Sequence, residues 1–438
     1  MSIPPSVESI RDTDQSTSFN PVESGCTITL DNPLLNQQLS SLLEEFRIIF
    51  QSAPHPDGID CPPMRIPFHD ESTVVKRKPR FFNPEKLKIA DGIFDELIEQ
   101  AFAVFSPQSK FSSPVVLVTY PDHRKPRLTA DYSGRDGVND LTVPIASDLP
   151  NVADVITFLP AANFIATLDL PKAFWQLKVA PQDMDKTALS IPGRTITFTR
   201  DPFGLKNVPA FFQNLMTEIF AMNGVFIYLD DIIVIASAFD EFITRLRAVF
   251  NKAQSARVTL GLHKCKFVTY KHPIKILGSI FHNKARFIDD VRIKAVLEIP
   301  TPKTVKDVRS LVGSINYIRD WLPGISKLIA PIITLTKGKP KGVKWEPKHQ
   351  QAFDSIKRLI VNQIALDLPG PNCNILISAD ASNLAVGGAI WNERTPSPLG
   401  TPLIERKVQP ISVYSIILTE SQLNWATIQK SSMPFSLS

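Results

Sequence analysis

Asp230 and Asp231 stand side by side within residues 226–235, an otherwise apolar run. Its β-branched and aromatic flanks read as two strands joined by a tight hairpin. Burying ionised carboxylates is costly, and two neighbours repel each other as well. A divalent cation offsets both effects, because hard ions such as Mg2+ prefer carboxylate oxygen. Asp-Asp at a hairpin tip is also ordinary turn chemistry, since Asp tolerates turn dihedrals and is well solvated there. A third acid favours the metal. Asp169 ends an apolar strand that begins near Asn163, and Pro171 stops that strand two residues later. Three carboxylates on adjacent strands form a ligand set for two metals that clamp the attacking and leaving oxygens of an in-line phosphoryl displacement.

The elements that must position these acids are written in the spacing of apolar residues. Residues 1–30 are polar and aperiodic and read as a flexible tail. Leu35, Leu39, Leu42, Phe46 and Ile49 predict one amphipathic helix after Pro33. Residues 51–80 are proline-rich, end in a basic run at 76–80, and predict an extended crossing segment. Asn83 and Pro84 cap and open a second helix, with Leu87, Ala90, Phe94, Leu97 and Ala101 on its inner face. Strands and helices then alternate from Phe111 to about Phe281. Thr304 caps a further helix carrying Val305, Val308, Leu311, Val312, Ile315 and Leu322, which ends near Pro323 and Gly324. No internal repeat is evident.

At 438 residues the chain has room for two or three domains with sizeable cores. Its net charge of +5 is mild, but the basic residues cluster: Arg257, Lys264, Lys266, Lys271 and Lys275 span a stretch without a single acid. A second group, Lys337, Lys339, Lys341, Lys344 and Lys348, surrounds Trp345. Such patches suit a phosphate backbone, and equally suit solvated loops. The four cysteines are scattered and no histidines cluster, so neither a zinc module nor a disulfide framework is supported. The polar start predicts no signal peptide, and no uncharged run reaches the length of a membrane span, so the chain reads as intracellular with no membrane partner.

The segment 228–231, Tyr-Leu-Asp-Asp, resembles the catalytic box of reverse transcriptases, in the form used by gypsy-type LTR-retrotransposon Pol polyproteins. Further matches follow in order around it: 111–118 the opening fingers strand, 127–132 (Arg-Leu-Thr-Ala-Asp-Tyr) a triphosphate-contacting segment, and 168–174 the first catalytic Asp with the aromatic residue after it. Segment 202–213 resembles the loop and helix behind the templating base pair. Segments 263–267 and 276–280 resemble the strands that close the palm toward the primer. The resemblance implies an α+β right-hand polymerase of fingers, palm and thumb, followed by a connecting region and an incomplete RNase H-like α/β domain. It divides the chain into a tail and helix start (1–40), fingers and palm (41–282), thumb and connection (283–370), and the RNase H-like segment (371–438).

By the same resemblance, the implied activity is an RNA-directed DNA polymerase that adds deoxynucleotides to a primer 3′-hydroxyl on an RNA or DNA template. Asp169, Asp230 and Asp231, with the carbonyl of Leu170, would hold two Mg2+ ions, for which Mn2+ can substitute. Arg127, with Lys125 beside it, would meet the triphosphate of the incoming deoxynucleoside triphosphate. Phe174 would exclude a 2′-hydroxyl, and Phe203 and Gly204 would pack against the nucleotide. Tyr228, Lys264 and Lys266 would lie along primer and template. Cytoplasm or a retrotransposon particle is the implied location. Departures from the family pattern are visible. Residues 131–139 run longer than the usual spacing, and residues 120–123 replace part of the usual basic stretch. Asp380 falls where the family places its first RNase H acid, whereas Gln429 and Lys430 occupy the region of the next one, so RNA cleavage is expected to be absent. The alternative reading is a catalytically poor remnant that binds primer–template without extending it.

Overall fold

Apolar runs around Asp169 and around Asp230 and Asp231 build the central sheet. The computed structural model of the chain describes residues 25–119, 125–147, 155–156, 158–337, 342–370, 373–381, 385–398, 400–402, 405–418 and 422. The central sheet contains β1 (Thr27–Thr29), β5 (Phe164–Asp169), β8 (Val225–Tyr228), β9 (Asp231–Ala236) and β10 (Lys266–Thr269), in the order β1-β10-β5-β9-β8. Because side chains alternate faces, the pairs Leu168/Ile232 and Ala166/Val234 share one face, and Asp169/Asp231, Thr167/Ile233 and Ile165/Ile235 share the other.

Three helices cover the first face: α1 (Pro33–Glu45), α3 (Val208–Phe220) and α4 (Phe239–Ser255). Phe212, Met216 and Phe220 of α3 and Phe242, Leu246, Val249 and Phe250 of α4 recur at helical spacing and are fully buried there. Each such side chain contributes roughly 1.5–3 kcal/mol through removal of its surface from water. Among the described residues, the second face is covered at its far end, where Ile165, Ile233, Ile235 and Val268 meet Ile274, Ile276, Phe281 and Leu368. The near end of that face stays open. Asp169 and Asp231 stand there.

The fingers carry a second five-stranded sheet in the order β2-β7-β6-β3-β4, from β2 (Ala103–Phe105), β3 (Ser113–Val118), β4 (Arg127–Ala130), β6 (Leu189–Ile191) and β7 (Arg194–Phe198). Helix α2 (Pro84–Glu99) packs on it through Ala90 and Phe94, with the Asn83 side chain accepting from Lys86 N as the sequence predicts. The 51–80 segment is extended, bridging Met64 to Val179, Phe68 to Thr142 and Lys76 to Ser112.

A four-stranded sheet of β11 (Ile274–Ile276), β12 (Ser279–His282), β13 (Ala285–Ile288) and β14 (Leu366–Asp367) follows. It joins a helical layer of α5 (Asp290–Leu297), α6 (Val305–Tyr317), α7 (Ile325–Thr334) and α8 (Pro347–Val361). The last sheet is an antiparallel meander of β15 (Asn374–Ala381), β16 (Ala385–Glu393) and β17 (Gln409–Ile417). No described helix is long and apolar enough to cross a membrane.

Four local readings are corrected. The stretch taken as tail contains β1, which β-branched Thr27, Ile28 and Thr29 lay parallel on β10. The first helix stops at Glu45, and Phe46 and Phe50 turn onto Phe250 with ring centroids at 5.6 and 5.3 Å. Ala101 is exposed at φ +55°, past the end of α2, and Phe102 takes the buried place instead. Helix α6 ends at Tyr317, before a separate turn at Arg319–Trp321 in which the Trp321 indole donates to Arg286 O at 3.2 Å.

Candidate active site

The hairpin that carries the acids is built by one backbone exception and one buried amide. Tyr228 pairs with Asp231, so only Leu229 and Asp230 form the turn, and Leu229 takes φ +52°. A branched side chain rarely adopts that left-handed conformation, so surrounding structure must hold it. Gln213 does so from α3. Its Oε1 accepts from Leu229 N at 2.8 Å and its Nε2 donates to Ile227 O at 3.1 Å, with the side chain almost wholly buried. On the other side, Leu170 N donates to Asp230 O at 3.1 Å, tying the end of β5 to the hairpin turn.

Asp169 and Asp231 are direct cross-strand partners at the open end of the sheet, and Asp230 is next in the turn. Burial, then the neighbouring Asp230 and Asp169, push the Asp231 carboxyl up to about 6, against the lowering pull of Lys264. Lys264 Nζ lies 3.3 and 3.2 Å from the two Asp169 oxygens. A cleft of about 610 Å3 opens here, lined by Asp169, Asp231, His263, Lys264, Lys266 and Lys275 among others. Among the described residues no three acidic, His or Cys side chains converge as a finished metal cage. The donor chemistry nevertheless fits a hard cation: carboxylate oxygens carrying excess negative charge face a solvent-open cleft.

Phe174 is half-buried at the junction of the palm and fingers cores, with ring centroids 5.3 Å from Phe203 and 5.5 Å from Phe212. Phe203 is half exposed. Gly204 has φ +105°, and a Cβ there would stand 3.2 Å from Ala130 O, so this close approach to β4 requires glycine. Asn139 holds the same loop, donating from Nδ2 to Gly204 O and accepting at Oδ1 from Lys206 N, each at 2.8 Å. The lengthened 131–139 stretch therefore still delivers its Asn.

Arg127 opens β4, exposed, with no ion-pair or hydrogen-bond partner for its guanidinium among the described residues. Lys125 differs from the expectation of a free triphosphate contact: its ammonium reaches both Glu96 oxygens at 2.7 and 2.9 Å. Lys264 likewise sits on Asp169 rather than standing free for a primer. Lys266 opens β10 beside Thr167, half-buried, and Tyr228 is half-buried at the end of β8. Asp380 pairs with Gly387 across β15 and β16, far along the sequence from the three acids. Gln429 and Lys430 lie outside the described residues.

Sequence reasoning did not single out Gln213, whose signal was the amide pair Gln213 and Asn214 amid Phe211, Phe212, Leu215 and Met216. It also passed over Asp201. That residue is fully buried next to Pro202, neither carboxylate oxygen has a hydrogen-bond partner, and burial holds its carboxyl well above the usual range.

A right-hand polymerase fold with three acids at the open end of the palm sheet defines the class. The family model "Reverse transcriptase (RNA-dependent DNA polymerase)" matches residues 120–281, and "RNase H-like domain found in reverse transcriptase" matches residues 345–435. The retrovirus-related Pol polyprotein from transposon 297 of Drosophila melanogaster is 28% identical over 342 residues, covering 76% of this chain and 30% of that polyprotein. The transposon Tf2-3 polyprotein of Schizosaccharomyces pombe is 27% identical over 307 residues, covering 69% of this chain and 22% of its own length. The chain thus carries a reverse transcriptase domain and an RNase H-like domain, its relatives are retrotransposon Pol polyproteins, and it spans about a third or less of the length of the curated relatives it matches. A foamy viral protease-reverse transcriptase solved with RNA/DNA hybrid shares the fold, with a TM-score of 0.77 at 21% identity over 93% of this chain and 53% of that one. The same protein with double-stranded DNA gives 0.78 at 22% identity, covering 93% of this chain and 82% of that chain.

Proposed function

We propose that this chain is an RNA-directed DNA polymerase that extends a primer 3′-hydroxyl with deoxynucleotides on an RNA or DNA template. The supporting observation is the register that sets Asp169 against Asp231, beside Asp230, at the end of the palm sheet that opens onto the cleft. Two Mg2+ ions held by these acids and the Leu170 carbonyl would activate the hydroxyl and neutralise charge on the leaving pyrophosphate. Residues 41–282 would act as fingers and palm, 283–370 as thumb and connection, and 371–438 as an RNase H-like segment without cleavage activity.

The chain's own residues supply position. Gln213 and Leu170 fix the hairpin so that the acids meet substrate in one geometry. Arg127, exposed and uncommitted, forks onto triphosphate oxygens, which suits its planar guanidinium. Phe174, braced by Phe203 and Phe212, presents a flat edge to the sugar and rejects a 2′-hydroxyl. Tyr228, Lys264 and Lys266 border the primer side. The site of action is intracellular, in the cytoplasm or a retrotransposon particle.

Primer extension on an RNA template with Mg2+ tests this reading. Asp230→Asn and Asp169→Asn should each lower extension by about a hundredfold or more while primer–template binding, read by fluorescence anisotropy, persists. Unchanged extension in either variant refutes the assignment. One observation favours the second reading, a binder that does not extend: Lys125 is spent on Glu96 instead of a triphosphate. Retained binding with no extension by the unmodified chain would establish it.

A further inference from the structure

Asp169 receives negative charge from one side and positive charge from the other. Strand β9 brings Asp231 and Asp230; the turn Leu262–Lys264, leading into β10, brings Lys264. That turn is fixed tightly against the acid. Gly261 N donates to Asp169 O at 2.8 Å, Lys264 N donates to Gly261 O at 3.1 Å, and the buried Cys265 thiol donates to the same oxygen at 3.3 Å. A Cβ on Gly261 would lie 3.2 Å from Asp169 Oδ2, close enough that the carboxylate would have to give by a few tenths of an ångström. Among the described residues Asp169 is the one carboxylate Lys264 pairs with. The other cleft ammonium with an acid partner, Lys275, is committed to Asp289.

We propose that Lys264 is a positioning residue that holds Asp169 in the metal-free chain and competes with the incoming divalent cation for that carboxylate. The proposal rests on the metal-site reading above. A cation binding at Asp169 must displace an ammonium already within hydrogen-bond reach of both its oxygens, so Lys264 lowers metal affinity and keeps the acid extended toward the cleft until substrate arrives. Lys264 is more than half exposed, so water screens the pair and the effect is moderate.

Mn2+ affinity of the nucleic-acid-free chain, titrated by electron paramagnetic resonance, reads this directly. Lys264→Met and Lys264→Gln should each bind Mn2+ about threefold to tenfold more tightly, and Lys264→Arg should match the unmodified chain. Asp169→Asn is the control and should lose the site. If Asp169→Asn abolishes binding while both uncharged variants match or fall below the unmodified chain, the proposal fails and the metal-site reading stands. If Asp169→Asn binds Mn2+ as the unmodified chain does, or no variant binds at millimolar Mn2+, the metal-site reading fails and the proposal with it.

Discussion

The palm sheet and the C-terminal sheet both present aspartates on antiparallel strands, yet they treat them differently. In the palm, Asp169 and Asp231 face each other across β5 and β9, a buried Gln fixes the hairpin between Tyr228 and Asp231, and helices α3 and α4 cover the opposite face. In the C-terminal meander, Asp380 pairs with Gly387, and Ile375 and Ile377 on the same strand are each about half exposed. That sheet is anchored at its other end, where buried Asp367 accepts from Asn392 Nδ2 at 2.6 Å and pairs with Arg394, while at the Asp380 end Arg319 donates to Ser415 O, opposite Gly387. The lesson is that a carboxylate becomes a reaction centre through its cross-strand partner and the fixing of its turn, not through strand position alone.

The largest expected effect breaks the comparison if it fails. Asp231→Asn should lower primer extension by about a hundredfold or more, whereas Asp380→Asn should leave it unchanged in the same assay. Next comes the anchoring of the two sheets. Asp367→Ala strands Arg394 and Asn392 and should cost the C-terminal unit about 3 kcal/mol, seen as an earlier denaturant transition, with extension little affected. Gln213→Ala leaves Leu229 N–H and Ile227 C=O unpaired in the interior. It should cost about 2 kcal/mol in denaturant unfolding and also lower extension, a double signature that a purely structural residue lacks. Phe174→Val should raise the ratio of ribonucleotide to deoxynucleotide incorporation, and an unchanged ratio would return the ring to core packing.

The smallest effect concerns one buried carboxylate outside the acid cluster, Asp201. Asp201 has no partner and a folded-state pKa raised far above its unfolded value near 3.8. The folded state therefore holds the extra proton, and stability falls as pH rises from the unfolded pKa toward the folded one. Asp201→Asn should match the unmodified chain below about pH 4 and exceed it at pH 7 in chemical denaturation. Equal stability at both values would show that Asp201 is not a destabilising group.

Much of the site was legible because acids interrupt apolar runs. Asp169, Asp230 and Asp231 announce themselves by breaking an alternation that burial otherwise requires, and Asn83 and Thr304 cap the helices they were expected to cap. Pairings across long sequence separations were not legible. Strand β14 joins β13 from about eighty residues away, with Ala285 opposite Asp367, and a two-residue strand leaves no periodic trace. Gln213, and the pairing of Lys264 with Asp169, were hidden for a related reason. Each acts through a partner fixed by tertiary geometry, and neither partner is near in sequence.

Helix α3 contributes to both halves of the proposed reaction centre. Phe212 packs edge-on against Phe174, the proposed sugar gate, and one residue later Gln213 grips the hairpin of acids. The two halves thus hang from adjacent links of one rigid rod, as a drill guide keeps two holes at a set spacing. Any sliding or tilting of that rod would carry the support of Phe174 and the hairpin of acids together.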